Sequence, residues 1–133
     1  MSENKDIKNK DVEEKKIEKI KKTMDELAAQ YEKGEMKLLT PIRGGGKDID
    51  ALKYDFTKLT AWEYAEALDS DAAAKDAFKM TKKQGIALFA AAVAKEMPEL
   101  DARDVKERLG IKDGVQAVNI ATIFFVCAQR AEH

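Results

Sequence analysis

Three consecutive glycines, Gly44-Gly45-Gly46, constrain this chain more than any other feature. Before them lies a short apolar run at residues 36–42, broken by Pro41; after them Leu52, Tyr54 and Phe56 alternate with other residues. An apolar run, a glycine turn and a period-two alternation read together as a β-hairpin. Pro41 has no amide to donate, so the first strand is expected to be an edge strand or to loosen there. A two-stranded unit alone is marginal in water, so the hairpin has to pack on helices. The cations and exposed amides of Arg43-Gly44-Gly45-Gly46-Lys47 also suit an anion. A P-loop, however, ends in Gly-Lys-Ser/Thr and opens a helix, whereas an alternating strand follows here.

Helix signals fill the rest of the chain. Thr60 with Glu63, Thr81 with Gln84, and Asp113 with Gln116 have capping-box spacing, which predicts helices beginning near residues 61, 82 and 114. Asp69-Ser70-Asp71 interrupts the first of these, and residues 72–79 are expected to form a further short helix. The second ends at Met97, because the residue before Pro98 is driven out of the helical region. Asp101 should cap a short helix that stops at Gly110. Trp62, just inside its helix start, is expected to anchor the core beneath the hairpin. Ile86, Phe89, Ala90, Val93 and Met97 fall at helical spacing, and their helix should lie against the last one. That last helix, over residues 115–128, has only Gln116, Asn119 and Thr122 as a thin polar strip. It is therefore either central to the core or offers an apolar surface, with Phe124 and Phe125 as candidate contacts, to a client or a second copy.

Residues 1–33 are dominated by intermixed Lys, Glu and Asp. Within them Ile17, Ile20, Met24, Leu27 and Tyr31 step by three and four, forming a helical stripe that Gly34 can end in a left-handed cap. A coiled coil is disfavoured, since the stripe lasts about two heptads and Lys21, Thr23, Ala28 and Gln30 at the flanking positions make no complementary charged pairs. The stripe is a candidate for docking, on its own domain or on a partner. The expected fold is α+β and mostly helical. A charged helical arm over residues 1–34 precedes a small globular domain over 35–133, with one β-hairpin and then four to five helices around a central apolar C-terminal helix.

Several function classes are excluded by residue supply. The only histidine of the 133 residues is His133, and the only serines are Ser2 and Ser70, so a Ser- or Cys-based triad has no base in the folded body. One cysteine, Cys127, and one histidine cannot make a structural zinc site. Asp69, Asp71 and Asp76, or Asp101 and Asp104, supply oxygen ligands for Mg²⁺, but helix capping explains their positions. No catalytic residue, metal or cofactor is expected. A net charge of -1 supplies no field toward nucleic acid or an anionic membrane. The cationic stretches at residues 79–83 and 103–108 are short and mixed with acids or apolar residues, which leaves a DNA-binding or regulatory helical module as the alternative reading. The N-terminus has no apolar signal core, residues 115–128 are too few to span a bilayer, and a lone cysteine fits a reducing compartment. A cytoplasmic protein is expected.

Three segments resemble the tail assembly chaperone family of long-tailed phages and prophages. Lys37-Leu38-Leu39-Thr40-Pro41-Ile42, a glycine turn and Leu52-Lys53-Tyr54-Asp55-Phe56 resemble the family's opening hairpin. Leu59-Thr60-Ala61-Trp62-Glu63-Tyr64 resembles the helix start that follows it. Leu100-Asp101-Ala102-Arg103-Asp104-Val105, then Ile111-Lys112-Asp113 and the apolar helix ending Phe124-Phe125, resemble its closing region. The likeness covers roughly residues 37–128 and leaves out the charged arm. It implies a non-enzymatic assembly factor in the host cytoplasm that is absent from the mature virion. The implied client is the tape measure protein, with the tail tube protein and self-association as further contacts.

Overall fold

The computed structural model describes residues 31–76 and 78–130. Strands β1 (Lys33–Gly44) and β2 (Lys47–Asp55) pair antiparallel as the expected hairpin. Gly45 and Gly46 form its turn at φ 59° and 79°, the positive values that a two-residue hairpin turn of the primed type demands. The ladder runs from Lys33 opposite Asp55 to Lys37 opposite Ala51, then resumes at Ile42 opposite Ile49. Residues 38–41 thus bulge opposite Asp50 alone, which is the loosening that Pro41 imposes on the strand. Gly34 is the second residue of β1, opposite Tyr54, and has no positive φ; Tyr31 and Glu32 are still helical. The expected left-handed helix cap at Gly34 is therefore replaced by direct entry into the strand, where pairing satisfies its backbone.

Among the described residues, a single 3-10 turn (Phe56–Lys58) is followed by four helices: α1 (Ala61–Leu68), α2 (Lys82–Glu96), α3 (Ala102–Arg108) and α4 (Ile111–Arg130). The first two begin where their capping boxes predict. Thr60 Oγ1 accepts from the Glu63 amide at 3.1 Å while Glu63 accepts from the Thr60 amide at 3.0 Å, and Thr81 and Gln84 repeat the exchange. Asp101 caps α3 in the same way. The α+β, mostly helical arrangement expected from the sequence is what forms, with one hairpin followed by helices and an apolar helix at the C-terminal end.

Three local expectations are corrected. Among the described residues of 72–79 there are turns and bends and no helix. The Asp71 carboxylate accepts from the Ala73 amide and the Thr81 hydroxyl, and Asp76 accepts from the Phe78 amide, local bonds that offer the backbone an alternative to the helical ladder. Trp62 is 74% exposed and its indole N–H donates to Glu66 one turn on. The buried face of α1 is the one carrying Ala67, which turns Trp62 to solvent. Helix α4 begins at Ile111, three residues before the predicted start, with the Gly114 amide donating to the Gly110 carbonyl at 2.7 Å. Asp113 thereby falls in its first turn and is free to bond elsewhere.

Packing centres on α2, which lies against β2, the 3-10 turn, α1, α3 and α4. Gly85, Ala87, Ala90 and Ala92 of α2 are all buried, and such short side chains let several neighbours approach at once. At Gly85 a Cβ would stand 3.3 Å from Val118 Cγ1 and 3.4 Å from its Cα, so glycine is what lets α4 cross this closely. Between α2 and the hairpin sit Leu52, Tyr54, Phe56, Leu88, Phe89 and Val93, all buried. Tyr54 lies 5.2 Å from the Phe89 ring and 5.5 Å from Phe56, and Phe56 stacks on Phe124 at 4.5 Å with planes 10° apart. Tyr64 of α1 meets the edge of Phe124 at 6.5 Å. One aromatic row therefore ties the hairpin, α1, α2 and α4 together, each pair adding about 0.5–1.5 kcal/mol beyond its buried area.

Candidate functional site

Asp113 determines how the hairpin and α4 meet. It is 1% exposed, and its carboxylate accepts from the Leu39 amide at 2.9 and 3.1 Å and from the Thr40 amide at 3.1 Å. Those two amides sit in the β1 bulge. A buried carboxylate needs such donors, since an unpaired one would carry a desolvation cost of several kcal/mol. The capping-box spacing of Asp113 and Gln116 thus has a different use: Asp113 pins the start of α4 to β1.

Next to this pin, α4 borders an apolar groove of about 420 Å³. Ile86 of α2 forms one side and Leu109, just after α3, another; Ile111, Val115 and Val118 of α4 complete it, with Gly110 and Gly114 leaving room between them. Ile111 is 87% exposed and Val115 is 55% exposed. Lys82 and Lys106 are the only charged residues in the lining, and among the described residues neither joins an ion pair. The volume lies within the range of pockets that bury a small ligand. Large apolar side chains left in contact with water at a groove mark an interaction surface more than a catalytic one.

A second hollow, of about 540 Å³, lies beside the loop after α1 and is lined by Asp69, Asp71, Lys75, Asp76 and Lys79 with Phe125 at its base. Its carboxylates serve the fold. Asp71 is held below the usual carboxylate range, first by the Thr81 hydroxyl and then by the Ala73 amide. The other shifted groups have equally local causes. The Glu63 carboxyl is lowered chiefly by Lys95, at 2.8 Å, and the Lys58 ammonium is raised by Glu96, at 2.7 Å. Burial raises the Tyr54 and Tyr64 phenols. Among the described residues no three His, Cys, Asp or Glu side chains are grouped to hold a metal.

The candidate contact residues read from the sequence are distributed differently. Ile17, Ile20, Met24 and Leu27 lie outside the described residues. Tyr31 is half-buried and packs on the core. Phe125 is 3% exposed and Phe124 is half-buried in the stack on Phe56, so both rings are engaged by the protein's own interior. The larger free apolar surface of α4 is at its other end, at Ile111 and Val115, while Val126 near the C-terminal end is 39% exposed. Sequence reasoning places Val115 in the last helix without singling it out and leaves Ile111 outside it, because it begins the helix near residue 114. Over Ile111–Gln129 the helix is also long and apolar enough to cross a bilayer, longer than the run the sequence suggested. Its buried side, with Asp113, Ala117, Ile120, Ala121 and Phe125, faces the rest of the fold, and the groove lies on another side.

Compared with protein-family models, curated proteins and solved structures, the chain matches none.

Proposed function

We propose that this chain is a non-enzymatic tail assembly chaperone that works in the host cytoplasm, holding the tape measure protein soluble until the tail tube assembles around it. The observation that carries the reading is the groove between α2, α3 and α4, where Ile111 and Val115 remain exposed beside Ile86, Leu109 and Val118. A chaperone of this kind must offer apolar surface to a long helical chain and keep its own surroundings charged. Binding then lowers the uncovered population of the client by mass action. The resemblance of the hairpin, the Thr60 helix start and the closing region to tail assembly chaperones supplies the identity of the client. The residue supply supports the same reading, since neither a nucleophile with its base nor a metal-ligand set is spelled out in the sequence.

The test is co-expression with a tape measure protein encoded beside this chain, followed by pull-down and sizing. The expected result is a soluble complex of fixed stoichiometry. A client that stays insoluble and unbound while this chain remains folded would overturn the proposal.

A further inference from the structure

Resting on the reading of the groove as the client site, we infer that its occupant is a single amphipathic helix of a partner protein whose apolar stripe is flanked by Asp and Glu. The charge of the lining carries this choice. Apolar side chains form most of the lining, and Lys82 and Lys106 are its only charged residues. A helix that seats an apolar stripe between two lysines is favoured by carboxylates on either side of that stripe and penalised by cations there.

The hairpin rules out the alternative of an added strand beside the groove. Residues 39–41 of β1 run next to α4, and an incoming strand would need their backbone donors. The Leu39 and Thr40 amides are already bonded to Asp113, and Pro41 has none. Such occupation of an edge blocks strand pairing. The stripe in the N-terminal arm fits poorly for a different reason. The heptad positions that flank its stripe, Lys16, Lys21, Thr23, Ala28 and Gln30, hold no acid to meet the groove's lysines. A second copy seated groove to groove would bring four lysines together, which like-charge repulsion opposes.

The full chain can be titrated with two labelled synthetic peptides of about 18 residues, five turns of helix, carrying the same leucine stripe at i, i+3, i+4 and i+7 spacing. One has Glu beside the stripe and the other Lys. The chain should bind the Glu-flanked peptide, and the double variant Lys82→Glu/Lys106→Glu should bind it about tenfold more weakly while gaining the Lys-flanked one. Sedimentation should show one chain per peptide. Equal binding of both peptides, or of neither, would overturn the inference. So would a gain in peptide affinity on Ile20→Asp, which would make the arm the occupant, or a dimer that Val115→Asp dissociates. If the tape measure complex forms yet tolerates the double lysine variant and Val115→Asp, the helix-in-groove inference fails and the chaperone reading stands. If the peptides obey the charge rule but the tape measure protein stays insoluble, the groove assignment stands and the chaperone reading fails.

Discussion

Helices α2 and α4 are both long and rich in apolar residues, yet α2 is enclosed by the hairpin and three helices while α4 is enclosed along one side. Apolarity does not explain the difference, because α4 has the more continuous apolar sequence and α2 carries lysines near both ends. Side-chain size does. The buried surface of α2 is largely Gly and Ala with Leu88, Phe89 and Val93 set among them, so several elements can close on it together. The large residues of α4 have different fates: Phe124 and Phe125 pack inward with Val126 exposed beside them, while Ile111 and Val115 at the other end border the groove. A helix can therefore be strongly apolar while only one of its sides is closed into the core and another is left open at a groove.

The enclosure of α2 is tested most severely at Phe89, which is fully buried against Tyr54. Phe89→Ala should cost about 3–5 kcal/mol, read as a lower urea midpoint at unchanged slope. The attachment of α4 is tested at Asp113. Asp113→Ala leaves two bulge amides without their acceptor and should cost about 2–4 kcal/mol. Asp113→Asn keeps one acceptor oxygen and should cost less. If both variants unfold at the wild-type midpoint, the pin between β1 and α4 is not what holds them together. The smallest effect concerns pH. Lys95, more than the Thr60 amide, holds the Glu63 carboxyl below its ordinary range, so its contribution is present above the unfolded value and is lost as pH falls through the lower folded one. Glu63→Gln keeps the capping geometry without the titration. Its urea midpoint should fall less steeply than that of the wild type between about pH 7 and about pH 3.

Much of this architecture could be read from the residues, and the exceptions share a cause. Thr60, Thr81, Asp101 and Pro98 act through neighbours within four positions, and each marks its helix boundary where the sequence places it. The turn glycines and the break at Pro41 are local in the same sense. Asp113 bonds across 74 residues to Leu39, a partner that no spacing rule reveals, and its capture there goes with a start of α4 three residues earlier than expected. Trp62, just inside its helix start, is expected to anchor the core beneath the hairpin, but the orientation of α1 is set by Ala67 against α2 and turns the indole outward. The groove was hidden for a related reason. Its lining comes from α2, α3 and α4, and Ile111 and Val115 become neighbours on one surface only when the helix starts before both. The chemistry of the last helix was readable as apolar surplus; which end is exposed depended on packing.

The most direct test of the division within α4 is to compare Val115→Asp with Phe125→Ala in one experiment, scoring the urea midpoint and retention of the co-expressed tape measure protein for each. Val115→Asp should stay within about 0.5 kcal/mol of wild type, as an exposed substitution does, and lose the client. Phe125→Ala should be destabilised by about 3–5 kcal/mol. The opposite pattern, a folded Phe125→Ala that has lost the client beside a Val115→Asp that retains it, would contradict the assignment and move the binding surface to the C-terminal end of the helix.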